Sequence, residues 1–333
     1  MQYGFSIKRK CYLLSVLLMT VWLTGCVQEE FESTPSPAGN GIRFTLTVPD
    51  VNLPSVSSRT MTGTGTAKKE DEIETVDILV FDMSKTPAVF LEWVSATGVT
   101  QDLADNSTVS FSAVLSPTTA STCIVVVANK ELDNIVSGFT KGATTKVEAM
   151  EKMLHTQTGK WLADGSTTGG YTRIPMYGEK VISKITPSMN PITEINMKRM
   201  LARIDIRNNS VTSNFMVEEV YLANHNTTGY IAPAWNTNGQ VTEPAPDTPV
   251  LPTGSGKMTE EGNAILYSVN GNTPYDGEIY TFESLAAEDA GGAGADGEAS
   301  RKDATCLIVK GKIGTGESTF YRVDFTKTGN TGE

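Results

Sequence analysis

The chain has 333 residues and a formal net charge of −11. That balance excludes nucleic-acid binding through a basic footprint. It suits a soluble surface protein whose copies repel one another. Of the four cysteines, Cys11 and Cys26 lie in or at the end of the N-terminal leader described next, and the two that remain, Cys123 and Cys306, are too few for a disulfide framework.

The N-terminus reads as a secretory signal. Lys8, Arg9 and Lys10 form a positive region, and Tyr12 to Trp22 is an almost unbroken apolar run, too short to span a bilayer as a helix. It closes on Leu23-Thr24-Gly25-Cys26, which resembles the bacterial lipobox. The resemblance implies cleavage between Gly25 and Cys26 and acylation of Cys26, so residues 1–25 are a signal peptide and the mature charge is near −14. Acyl chains contribute ~0.8 kcal/mol per buried CH₂ and tether the chain to the outer membrane. The alternative is a plain signal peptide with an accidental Cys.

The acidic cluster Glu29, Glu30 and Glu32 is similar to the surface-export signal of Bacteroidetes lipoproteins, and an ordinary acidic linker would look the same. Residues 26–41 end in a Pro/Ser/Gly-rich tether.

The rest is mainly β. Ile42, Phe44, Leu46 and Val48 alternate with Arg43, Thr45 and Thr47, which is the pattern of a half-buried strand. Further strands are expected over 75–81, 88–94 and 108–114. Cys123 to Ala128 is continuously apolar, as a strand buried on both faces should be. Later candidates are 180–185, 192–197, 201–207, 217–223, 264–269, 278–282, 305–312 and 320–325. Val147, Met150, Met153 and Leu154 recur at helical spacing, with His155 capping or flanking that helix. A second short helix is expected within 130–136. Residues 243–252 and 286–300 read as loops. Cys123 and Cys306, in apolar strand-like runs, are expected to be buried thiols.

Chemistry-bearing motifs are scarce. Two histidines, His155 and His225, make no triad, and no Gly-x-Ser-x-Gly elbow, phosphate loop or metal-ligand spacing is present. One Gly-Gly-x-Gly-x-Asp unit at 291–296 is a single copy where a calcium-binding β-helix needs several. No catalytic residue, metal ligand or cofactor is assigned, and the expectation is a non-enzyme.

Six phrases converge: Thr75-Val-Asp-Ile-Leu-Val-Phe-Asp82, Thr122-Cys-Ile-Val-Val-Val-Ala-Asn-Lys130, Ile174-Pro-Met-Tyr-Gly178, Lys198-Arg-Met-Leu-Ala-Arg-Ile-Asp-Ile206, Ile279-Tyr-Thr-Phe-Glu-Ser284 and Thr305-Cys-Leu-Ile-Val-Lys-Gly311. In this order, behind a lipobox, they resemble the Bacteroidales fimbrillins, the FimA/Mfa-type subunits of type V pili. The resemblance implies two tandem transthyretin-like β-sandwich domains, over 42–199 and 200–333 with the boundary near Met200, and one or two short helices in the first. It also implies assembly by donor-strand exchange. A protease cuts after an arginine, matching Arg59 before Thr60 here, and the strand carrying Ile42, Phe44, Leu46 and Val48 leaves its groove. Residues 42–59 would then be removable strand and propeptide, and a neighbouring subunit's strand would refill the groove. Partners would be other fimbrial subunits and an adhesion receptor. The family continues past the Tyr321–Phe325 strand, whereas this sequence stops at Glu333, either truncated or ending differently. Stalk, tip, accessory and anchor roles stay open. The rival reading is a non-polymerising surface lipoprotein that binds a glycan or protein ligand; exposed Trp161, Tyr171, Tyr230 or Trp235 would favour it.

Overall fold

The computed structural model describes residues 42–47, 70–101, 108–162, 172–189, 191–206, 214–242, 248–253, 264–268, 275–287 and 304–326. In chain order the first strands are β1 (Ile42–Thr47), β2 (Val76–Asp82), β3 (Val89–Ser95), β4 (Thr97–Gln101), β5 (Thr108–Ala113) and β6 (Thr122–Ala128). Two helices follow, α1 (Asp133–Val136) and α2 (Lys146–Lys152). Then come β7 (Leu154–Thr156), β8 (Met176–Ile182), β9 (Ile192–Asn196), β10 (Lys198–Arg199), β11 (Leu201–Ile206), β12 (Phe215–Ala223) and β13 (Thr228–Tyr230). The last four are β14 (Ile265–Ser268), β15 (Tyr275–Phe282), β16 (Cys306–Ile313) and β17 (Thr319–Asp324).

The fold is mainly β, and one sheet organises it. Its order is β10-β8-β6-β2-β3. Every residue of β6 is buried. Alternation sorts these side chains into two cores. Ile124 and Val126, with Ile78 and Val80 of β2, face a second sheet of order β4-β5-β1-β9. Cys123, Val125 and Val127, with Leu79 and Phe81, point the other way, onto Ala149 and Met150 of α2, onto Trp161, and onto Tyr280 and Phe282 of β15. A strand buried on both faces has no polar period to display, hence the unbroken apolar run in the sequence.

The chain leaves the first pair of sheets at Met200, between β10, which pairs with β8, and β11, which pairs with β15. A third core lies between the β11-β15 ribbon and a sheet of order β14-β12-β16-β17, and holds Val217, Val220, Leu222, Tyr267, Ile279 and Leu307. The two halves are stitched together by the antiparallel pairing of β7 with β13.

Several expectations need correction. The helical pattern through Leu154 stops early: α2 ends at Lys152, and Leu154 and His155 belong to β7. The N-terminus of α2 is set by a capping box in which Thr145 and Glu148 satisfy each other's backbone donors. The strand expected over 180–185 begins instead at Met176 and pairs with β6 throughout. Glu179 had disguised it. Its carboxylate accepts from the fully buried Lys146 Nζ at 2.6 Å and from the Tyr177 hydroxyl at 2.5 Å. A buried ammonium is tolerated only when paired in this way. The short strands β4, β7, β10 and β13 were not anticipated, because two to five residues give no readable period. Cys123 and Cys306 are buried thiols as expected, and burial pushes the Cys123 thiol up to about 12.

Gly178 is where β8 and β9 come close. A Cβ there would lie 2.9 Å from the Asn196 carbonyl oxygen and 2.7 Å from Met197 Sδ. Gly178→Ala is therefore expected to lower stability by about 1–3 kcal/mol through overpacking. A urea unfolding curve with a lower midpoint and unchanged slope would be the signature.

Candidate functional site

The candidate site is the slot occupied by β1. The strict alternation of its sequence has the expected consequence: Ile42, Phe44 and Leu46 are buried, with Phe44 and Leu46 at 0% exposure, while Arg43 and Thr45 are half-buried on the other face. Val48, the fourth residue of the pattern, lies outside the described residues, as do Gly25, Cys26, Arg59 and Thr60.

Three contacts hold β1. One edge runs antiparallel to β5, pairing Ile42 with Ala113, Phe44 with Phe111 and Leu46 with Val109. The other edge runs parallel to β9, pairing Phe44 with Ile192 and Leu46 with Ile195. The buried face packs on Ile78, Val80, Ile124, Val126 and Met176 of the opposite sheet. The Phe44 and Phe111 rings stack with centroids 5.0 Å apart and planes 7° from parallel. At about 1.5–3 kcal/mol per side chain, the three apolar residues contribute roughly 5–9 kcal/mol of burial.

The β9 wall carries a feature that sequence reasoning missed. Its register against β1 slips between Phe44 and Leu46, and Glu194 there sits at φ 62°. This bulge lets Ile192 and Ile195, three apart in sequence, both face the core. The signal was present in that spacing of three, which no regular strand can bury on one face.

Among the described residues, the other candidates do not assemble into a reactive site. His155 packs against Trp161 and Phe282, and burial, aided by the charge of Lys130, pushes its imidazole down to about 4. Burial also lowers the pKa of His225. Trp161 is buried, its indole N–H donating to the Thr172 carbonyl, and Tyr230 packs edge-on against Trp235. Tyr171 and the 291–296 motif lie outside the described residues. Among the described residues no group of three or more His, Cys, Asp or Glu could hold a metal, and no helix is long and apolar enough to cross a membrane.

The described residues are mainly β, with a strand of simple alternation buried at the centre of one sheet. The model of the major fimbrial subunit protein (FimA) family matches residues 42–265, and the chain belongs to that family. Membership gives it a role in a cell-surface fimbrium or in adhesion. Similar solved structures include a candidate cell adhesion protein from Parabacteroides distasonis ATCC 8503, 14% identical over 85% of this chain and 80% of that one, TM-score 0.44. Another is a fimbrial assembly protein from the same strain, 11% identical over 86% and 87%, TM-score 0.40. The fimbrial anchor protein Mfa2 from Porphyromonas gingivalis is 12% identical over 85% and 82%, TM-score 0.34. No curated protein matches the chain.

The slot makes a quantitative forecast for the intact chain. Phe44→Ala is expected to cost about 3–5 kcal/mol, the usual penalty for emptying a buried aromatic site. Thr45→Ala, one residue along and on the opposite face, is expected to stay within about 1 kcal/mol. Urea unfolding of the two variants beside the wild type reads this contrast, and equal losses would contradict the assigned faces.

Proposed function

We propose that the chain is a fimbrial subunit precursor assembled by strand exchange. It is made as a lipoprotein, cut between Gly25 and Cys26, acylated on Cys26 and displayed on the outer membrane. A second cut, after Arg59 and before Thr60, separates the lipid and β1 from the rest. β1 then leaves, and a strand of another subunit takes its place between β5 and β9. The precursor has two β-sandwich domains, 42–199 and 200–333, of which the first loses 42–59 on assembly, and the unit built this way acts without catalysis and serves adhesion.

One observation carries this reading. β1 is central in its sheet, and the chain between it and the next described residue, Glu70, contains Arg59. Removing a central strand exposes two rows of backbone donors and acceptors together with an apolar groove, and such an edge invites another strand. The replacement recovers the roughly 5–9 kcal/mol of side-chain burial lost with β1. It also restores both ladders, so the exchange need not be uphill. The family membership and the net negative charge of the chain are consistent with a subunit that meets its partners outside the cell.

Anchoring and polymerisation become alternative fates of one peptide bond. Sequencing the N-terminus of protein recovered from the cell surface reads the outcome. Thr60 as the first residue, lost in Arg59→Ala together with polymer, is the expected result. A blocked, lipidated Cys26 on all surface material, unchanged in Arg59→Ala, would instead make the chain an anchor or a non-polymerising lipoprotein.

A further inference from the structure

Residues 70–75 immediately precede β2 and are tied down from every side. Glu70 is buried, its side chain 7% exposed. Its Oε1 accepts from Arg203 Nη1 at 2.8 Å and from the Tyr280 hydroxyl at 2.5 Å, and its Oε2 from Arg203 Nη1 at 2.9 Å. Arg199 Nε donates to the Glu70 carbonyl at 3.0 Å. Arg203 belongs to β11 and Tyr280 to β15, so a residue entering the first pair of sheets is gripped by the ribbon of the second half.

The grip continues along the segment. Gln101 Nε2 donates to the Asp71 carbonyl and its Oε1 accepts from the Ile73 N–H. Asn129, held at φ 59°, donates to the Glu72 carbonyl and accepts from the Glu74 N–H. Arg173 pairs with Glu72 at 3.3 Å and with Glu74 at 2.6 Å. Four of the six residues over 70–75 are acidic or hydrogen-bonded through their carbonyls to side chains from distant parts of the chain. Surface ion pairs are worth little, but Glu70 is buried and its hydrogen bonds are charge-assisted. Burial and the hydrogen bond to Glu70 hold the Tyr280 hydroxyl well above its ordinary pKa, so it stays a donor.

We propose that Arg203 and Tyr280 form a carboxylate socket, occupied by Glu70, that retains the chain on the β2 side of the processing cut while β1 departs. The inference rests on the strand-exchange reading and adds to it a device that decides where departure stops. Everything N-terminal to Glu70 can be lost. From Glu70 onward the chain is fixed to both halves, so β2 keeps its ladders to β3 and β6, and the emptied slot keeps its opposite wall. Without the socket a cut chain would fray into residues 70–75, towards β2.

The test uses the full chain nicked in vitro with trypsin, which can cleave at Lys68 and Lys69 directly before Glu70. The nicked protein is then treated with an aminopeptidase, and the new N-terminus is read by mass spectrometry. In the wild type, trimming is expected to stop at or before Glu70. In Glu70→Gln and in Tyr280→Phe, which keeps the ring and removes only the hydroxyl, it is expected to pass into 71–75. Backbone N–H exchange at Ile73 and Glu74 in the un-nicked variants should quicken about tenfold or more, as expected for loss of a charge-assisted hydrogen bond. Trimming that halts at the wild-type position in both variants, with unchanged exchange, overturns the socket. The nick is made in vitro, so the result does not depend on where the cell cuts. A socket that holds while surface material is never cut at Arg59 would sink the strand-exchange reading alone.

Discussion

The central sheet, through β2 and β6, separates two cores that share no side chains, and the rest of the architecture depends on that division. Even-numbered residues of β6 point to the sheet containing β1, and odd-numbered residues point to α2 and β15. Because the second core is built from the far faces of β2 and β6 with residues of the second half, it does not include β1. Its contacts from α2, Trp161, Tyr280 and Phe282 involve no residue of β1. A strand can be exchanged from a sandwich only if the remaining sheet keeps its own support, and a core on the other face provides it.

The slot and the socket then divide the labour between the two types of interaction. β1 is held by apolar burial and by backbone ladders, which any strand of matching alternation can replace, since neither depends on a particular side-chain functional group. Glu70 is held by one guanidinium nitrogen, Arg203 Nη1, which donates to both carboxylate oxygens, and by a phenol, contacts that need a carboxylate at one position. Interchangeable contacts lie on one side of the Arg59 segment and specific ones on the other. That asymmetry is what the proposed strand exchange would require of a precursor.

Much of this was legible in the sequence because it depends on periods. The alternation of Ile42, Phe44 and Leu46 gave both the strand and its buried face, and the unbroken run from Cys123 to Ala128 gave a strand buried on both sides. What stayed hidden depends on partners distant in the chain. The first half of β8 is hidden because Glu179 interrupts its apolar pattern, and only the structure brings Lys146 to Glu179 across 33 positions of sequence. The bulge at Glu194 shows in the sequence only as the spacing of three between Ile192 and Ile195. Nothing in the sequence singles out Glu70, since Arg203 and Tyr280 lie 133 and 210 positions away. The Lys198–Ile206 and Ile279–Ser284 phrases that carried the family resemblance contain Arg203 and Tyr280, but a phrase does not say what its side chains grip.

The departure of β1 is the step on which the account turns, and a reversible lock tests it most directly. Thr45 of β1 and Ser110 of β5 are register partners. Cysteines at these two positions place a disulfide across the ladder without touching the apolar face. The doubly substituted chain is cut after Arg59 and its assembly is followed by sedimentation, oxidised and then reduced. The account predicts that the oxidised, cut chain stays monomeric and that reduction releases polymerisation to the wild-type extent. Polymer forming equally well with the disulfide intact would contradict it, because β1 would then never need to leave.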